Sequence, residues 1–300
     1  MHTPTLRQLQ FLVAIAETGS FSRAAEVCHV TQPTLSAAIK EVEALLGTQL
    51  LERHARGIEL TKAGEIAAER ARGVLASAQD LVAATQQISQ PLSGIFRLGA
   101  IPTIGPFLFP RALPKIRKRY PENQLLLRED TTDRLLDALK NRSLDAAIIA
   151  QPWATPGIET LPLLDDEFRL VAPVDHPLLK NEKLTPTDLL DSHMLLLEEG
   201  HCLRDHAQKI CNMPAKRERD DVTATSLLTL IYMVESGLGV SMLPKLAIDA
   251  GLANGVNVAC VPFSPPMMGR SIGLAWRAGS PREDEVRLLG EVIGELYKSV

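Results

Sequence analysis

Apolar residues recur at helical spacing from Leu6 to Ala16, with Leu6, Leu9, Phe11, Leu12, Val13 and Ile15 marking the buried positions. Thr18-Gly19-Ser20 interrupts that run. Ser20 is placed to cap a second, short helix, FSRAAEVC. After a turn at His29-Val30-Thr31, Thr31 is placed to cap a third, QPTLSAAIKEVEALLG. Pro33 falls in the first turn of that helix, where a missing N–H costs little, and Gly47 ends it. Leu50, Leu51, Ile58 and Leu60 flank the charged RHARG and predict a short β-hairpin. From Lys62 to Ser89 the chain is alanine-rich and free of proline, which predicts one extended helix. Pro91, Ser93 and Gly94 then mark a hinge.

The pattern changes after Gly94. Short apolar runs alternate with amphipathic stretches. IFRLGA precedes a helix over 107–119, QLLLRE precedes one over 132–141, and DAAIIA reads as a buried strand. FRLVAP, HMLLLE, GVSMLP and SIGLAWR continue the alternation, which predicts an α/β domain with mostly parallel strands.

Composition narrows the class. The chain has 300 residues, 45% of them hydrophobic, enough for about two domains. Its net charge of −4 does not by itself announce nucleic acid. There is no apolar leader pattern, and no run approaches the ~18 apolar residues of a membrane span, so a cytoplasmic location and no membrane partner are expected. Cys28, Cys202, Cys211 and Cys260 lack CxxC spacing, and His176, His193 and His206 form no ligand group with them, so no metal and no cofactor are expected. No GxSxG, phosphate loop or metal triad points to an enzyme.

The second and third helices form a helix-turn-helix pattern. Gln32, Pro33, Thr34 and Ser36 open the third helix, with Ser22 and Arg23 on the second, as candidate contacts to bases or phosphates. Arg53 and Arg56 on the hairpin are candidates for phosphates or a narrow minor groove. An ordinary helical bundle remains the plain alternative. Residues 1–90 hold eight bases and nine acids, so affinity would depend on where the cations sit and on their doubling in a dimer.

Cys202 and Cys211 stand nine positions apart in GHCLRDHAQKIC. On one helix their Cα atoms would be about 13.5 Å apart at ~1.5 Å per residue. A disulfide tolerates roughly 4.4–6.8 Å. Either the two never pair, Cys211 being a small buried hydrophobe, or pairing refolds the segment. His201 and Arg204 are candidates for lowering the Cys202 pKa, and Thr103, or a water it holds, for donating a proton to a leaving oxygen.

The stretch from Leu6 to Gly64, LRQLQFLVAIAETGSFSRAAEVCHVTQPTLSAAIKEVEALLGTQLLERHARGIELTKAG, resembles the winged helix-turn-helix of LysR-type regulators. The resemblance implies a DNA-binding domain at 1–61, a dimerisation helix at 62–90, and a regulatory domain at 91–300 resembling a two-lobed periplasmic binding protein. Lobe I would comprise about 94–164 and 268–300, and lobe II about 165–267. It also implies a homodimer or homotetramer that binds double-stranded operator DNA and engages RNA polymerase.

Within that family, LGAIPTIGPFLFP, EEGHCLRDHAQKIC and RSIGLAWR resemble the OxyR-like hydrogen-peroxide sensors. That resemblance implies Cys202 as the peroxide-reactive cysteine and Cys211 as the resolving one, joined by a reversible disulfide. Thr103, Thr132, His201, Arg204, Asp205 and Arg270 would line the peroxide pocket. The alternatives left open are a regulator that binds a small molecule in its inter-lobe cleft and a thiol peroxidase.

Overall fold

A computed structural model describes residues 3–54, 57–86, 91–150, 155–190, 192–210, 223–264 and 269–297. It divides into two compact units, the second beginning at Pro91.

The first unit opens with α1 (Leu6–Thr18), α2 (Phe21–Val27) and α3 (Gln32–Leu46). Thr5, Ser20 and Thr31 cap these helices through their side-chain oxygens, and Gly19 and Gly47 end α1 and α3 in the left-handed conformation that glycine adopts without steric cost. Leu35, Ile39 and Val42 turn one face of α3 onto Phe11, Leu12, Ile15, Phe21, Ala24 and Ala25. The antiparallel hairpin β1 (Leu51–His54) and β2 (Gly57–Leu60) follows, and then α4 (Lys62–Gln86). The expected helix to Ser89 runs beyond the described residues at its last turn.

Gly64 seats α4 on the hairpin. A Cβ there would lie 2.0 Å from the Leu50 carbonyl oxygen, which already accepts a hydrogen bond from Thr61 N at 3.0 Å. Backbone cannot yield as a side chain can. Gly64→Ala is therefore expected to cost about 1–3 kcal/mol, the range for overpacking. Thermal unfolding checks the loss. A variant as stable as the parent would contradict the close approach.

The second unit contains two main sheets and a short parallel pair, β8 with β9. β3 (Gly94–Ala100), α5 (Gly105–Arg119), β4 (Asn123–Glu129), α6 (Thr132–Lys140), β5 (Ala146–Ala150) and β6 (Ile158–Asp166) come first. β7 (Phe168–Pro173), β8 (Leu196–Leu197), α7 (Cys202–Ile210), β9 (Thr223–Ala224), α8 (Leu227–Glu235), β10 (Ser241–Pro244), α9 (Lys245–Asp249) and β11 (Val258–Pro262) follow. β12 (Arg270–Arg277) and α10 (Glu283–Gly294) complete the unit. The larger sheet has the order β4-β3-β5-β12-β6, the smaller β10-β7-β11. The chain passes from the larger sheet to the smaller between Asp166 and Phe168, and returns between Pro262 and Arg270.

The expectation of mostly parallel strands needs correcting. β3 pairs in parallel with β4 and β5, but β12 runs antiparallel to β5 and β6, and β7 antiparallel to β10 and β11. β12 enters the larger sheet on the return crossing, so it points opposite to the strands laid down on the way out.

Each sheet has its own core. Phe96, Leu98, Ile104, Leu108, Ile148, Leu274 and Trp276 anchor the first, and Phe168, Leu170, Leu197, Leu203, Leu230, Val240 and Leu243 the second. α5 keeps Leu108, Phe109, Ala112 and Ile116 buried while Pro106, Pro110 and Pro114 are exposed along the opposite stripe. The carbonyls left without helical N–H partners thus face water, which can satisfy them.

Candidate functional site

Arg270 and Asp166 are register partners at the edge where both crossings meet. Their side chains are 0% and 1% exposed. Arg270 Nε donates to Asp166 Oδ2 at 3.1 Å, with Nη2 3.0 Å from the same oxygen. Asp166 Oδ1 accepts from Leu246 N at 2.8 Å. The far side of the guanidinium holds Thr103: Nη1 donates to its hydroxyl at 2.7 Å and Nη2 to its carbonyl at 3.0 Å. Burial pushes the Asp166 carboxyl up, against the opposing pull of Arg270 and of Leu246 N–H.

Cys202 is the first residue of α7. Its side chain packs against the core of the larger sheet, whereas the next residue, Leu203, belongs to the core of the smaller one. The thiol therefore occupies the seam between the two. Arg270 and Thr132 face the sulfur, and both favour its thiolate. The Thr132 hydroxyl, at the start of α6, is buried and completes no hydrogen bond in this resting geometry. Burial of the sulfur outweighs both influences and Asp205 adds to it, so the thiol is pushed up.

This differs from the expectation that His201 and Arg204 lower the Cys202 pKa. Arg204 is buried and its Nη1 donates to the Leu197 carbonyl at 3.3 Å. The cation that faces the sulfur is Arg270, 68 residues further along the chain. His201 is half-buried, and its carbonyl accepts the Arg204 N–H at 2.9 Å in the first turn of α7. Asp205 is exposed. Thr103 reaches the site through Arg270.

Cys211 lies outside the described residues. The helix before it sets a bound nonetheless. Cys202 and Ile210 terminate α7 about 12 Å apart at ~1.5 Å per residue. One further peptide link spans ~3.8 Å. An intact α7 therefore keeps the two cysteines out of disulfide range, and a bond between them requires the helix to unwind.

In the first unit, Ser22, Arg23, Gln32, Pro33 and Thr34 are exposed and Ser36 is half-buried. Ser22 Oγ donates to Gln32 Oε1 at 3.1 Å, joining the surface of α2 to the first turn of α3. Arg53 stands in β1 opposite Ile58; its side chain and all of Arg56 lie outside the described residues.

Residues 6–65 match the model of the bacterial regulatory helix-turn-helix protein, lysR family, and residues 89–298 that of the LysR substrate binding domain. The chain belongs to the lysR family. A probable hydrogen peroxide-inducible genes activator of Mycobacterium avium is 40% identical over 99% of this chain and 96% of its own. The DNA-binding transcriptional dual regulator OxyR of Escherichia coli K12 is 38% identical over 96% of this chain and 94% of its own. Full-length OxyR of Pseudomonas aeruginosa, with a cysteine-to-aspartate substitution, superposes with a TM-score of 0.79 at 38% identity, covering 98% of this chain and 95% of that one. OxyR of Corynebacterium glutamicum, with a cysteine-to-serine substitution and hydrogen peroxide bound, gives 0.69 at 32% identity over 99% and 94%. This lysR-family chain thus falls in the OxyR-like branch.

Sequence reasoning missed two members of the site, Asp166 and the Leu246 amide. Asp166 sits in the run Asp165-Asp166-Glu167, which reads as surface charge, and its partner Arg270 is 104 residues away. No local pattern distinguishes the buried acid from its neighbours. Among the described residues, no group of His, Cys, Asp and Glu could hold a metal ion, and no helix is long and apolar enough to cross a membrane.

Proposed function

We propose that this lysR-family protein is a DNA-binding transcription regulator switched by hydrogen peroxide at Cys202. The observation that carries the reading is the thiol's seat in the seam between two cores, beside a fixed guanidinium and a hydroxyl without a partner. The sulfur attacks one peroxide oxygen, the O–O bond breaks, and the leaving hydroxide takes a proton to become water. Cys202 becomes a sulfenic acid, larger and more polar than the thiol it replaces. The Cys211 thiol then attacks its sulfur, expels water, and leaves a disulfide that α7 as folded cannot accommodate.

A carboxylate effector fits this pocket less well. An arginine that grips a carboxylate uses two parallel N–H groups, whereas Asp166 and Thr103 already take hydrogen bonds from Nε, Nη1 and Nη2 of Arg270.

The division we favour is a DNA-binding domain at 1–61, a dimerisation helix at 62–90 and a regulatory domain at 91–300. Ile66, Val74 and Leu81 are exposed on α4 at spacings that keep them within one face, an apolar stripe suited to a second copy. Homodimers or homotetramers acting on operator DNA and RNA polymerase in the cytoplasm complete the reading.

The test is brief, low-dose peroxide treatment followed by mass spectrometry of tryptic peptides. A linked pair joining the Cys202 and Cys211 peptides is expected. Two thiols still open to alkylation, as in untreated protein, would overturn the proposal.

A further inference from the structure

We propose that Asp166 is a positioning residue for the thiol switch: it holds the Arg270 guanidinium so that one N–H and the positive charge are presented to the Cys202 sulfur. The inference rests on reading Cys202 as the reactive thiol and deepens it.

The argument begins with donors. Arginine has five N–H groups in one rigid plane. Asp166 accepts from Nε–H and lies 3.0 Å from Nη2, while Thr103 accepts from Nη2 through its carbonyl and from Nη1 through its hydroxyl. The same guanidinium faces the Cys202 sulfur and favours its thiolate. With all three nitrogens hydrogen-bonded on two sides, the plane cannot turn. Thr103 binds only the terminal nitrogens, so the contact that stops rotation about the rest of the side chain is the one from Nε to Asp166.

Asp166 is itself fixed. Its Oδ1 is held by Leu246 N at 2.8 Å, so the carboxylate cannot follow a moving guanidinium. The charged groups acting on Asp166 are Arg270 from β12 and Asp249 from α9; Tyr297, beyond α10, faces Asp166, Asp249 and also Arg111 from α5. Those acting on Cys202 are Arg270 and Asp205, with Thr132 as the polar neighbour. Arg270 is thus the one cation in both sets.

Asp166 could instead act as a counter-charge that blunts Arg270. The two roles predict opposite signs. A positioning residue, when removed, lets the cation drift and the thiolate becomes harder to form. A counter-charge, when removed, unmasks the cation and the thiolate becomes easier to form.

The experiment measures iodoacetamide alkylation of Cys202 against pH in the full-length protein, quantified on the Cys202 tryptic peptide. Wild type is compared with Asp166→Asn, Arg270→Gln and the double variant. Asp166→Asn is expected to move the midpoint to higher pH by about one unit, so that alkylation at a fixed pH below it slows about tenfold. In the Arg270→Gln background the same change is expected to move nothing further. An unmoved midpoint, a downward one, or an equal displacement without Arg270 would each overturn the proposal. If Asp166→Asn does not fold, Asp166→Glu keeps the charge but shifts it by a methylene; a smaller upward displacement supports the proposal and none refutes it. Alkylation needs no peroxide, so failure of the peroxide reading leaves this measurement intact.

Discussion

Serine in place of Cys202 is expected to abolish every peroxide-dependent change in the protein. The substitution exchanges sulfur for a smaller oxygen at a partly buried position and leaves α7 and both cores intact. Stability should change by less than about 1 kcal/mol, since no large cavity opens and the hydroxyl can still face Arg270. Reactivity is another matter. A serine hydroxyl has no accessible anion at neutral pH and does not attack a peroxide oxygen, so no sulfenic acid forms and Cys211 has nothing to condense with. The operator footprint should be the same with and without peroxide, whereas wild type changes. Cys211→Ser separates the two steps: it is expected to form a sulfenate that a dimedone probe captures, without the locked state that outlasts peroxide removal. A Cys202→Ser protein whose footprint still responds to peroxide would remove Cys202 from the mechanism. The raised thiol pKa adds a pH signature. Because the protonated form is favoured in the folded protein, non-specific alkylation of resting Cys202 should be slow at neutral pH and accelerate only above the ordinary thiol range.

The first unit was legible in the sequence because its signals are local. Ser20, Thr31, Gly19 and Gly47 each act within four residues of their position, and a cap or a left-handed glycine needs no distant partner. The buried strands were legible for the same reason. AAIIA is wholly buried, and its apolar run already says so. β6 was not. Its sequence IETLPLLDD carries a proline and alternates poorly, because it is an edge strand with an irregular register beside Gly273. Strand direction was also hidden, since it depends on which crossing delivers each strand. At the site, Cys202 announced itself through its spacing to Cys211, but the group that governs it did not. Arg204 is a neighbour in sequence whose guanidinium reaches the Leu197 carbonyl, while Arg270 arrives from another strand on the return crossing. Asp166 was the least visible of all: burial alone distinguishes it from Asp165, and burial is a property of the assembled sheet.

Leucine in place of Arg282 is expected to destabilise the second unit by about 3–5 kcal/mol, the cost of breaking a buried ion pair from one side. Arg282 immediately precedes α10, 4% exposed, with its guanidinium 4.6 Å from the centre of the Phe96 ring. Nε donates to Glu285 at 2.5 Å, and Nη1 to Asp145 at 3.0 Å and to the Ile95 carbonyl at 2.7 Å. The two carboxylates in turn hold backbone: Glu285 accepts from Leu92 N at 2.8 Å and Asp145 from Arg97 N at 2.6 Å. Leu92 is itself strained, buried with φ 57 in the left-handed region. One cation therefore fastens the entry of the second unit, the strand β3 and the last helix together. Leucine fills much of the space but takes the cation away from two buried acids, a larger penalty than the lost packing over Phe96. Domains of this size shift by about 2–4 °C per kcal/mol, so calorimetry should show the melting point fall by roughly 10 °C. Combining Arg282→Leu with Asp145→Asn and Glu285→Gln should recover part of the loss, since neutral amides still accept from Arg97 N and Leu92 N. The Cys202 alkylation rate of the folded variant should match wild type, because none of the groups facing that sulfur belongs to this network. A loss below about 1 kcal/mol would mean that solvent reaches these acids and that the network is not the fastening its burial implies.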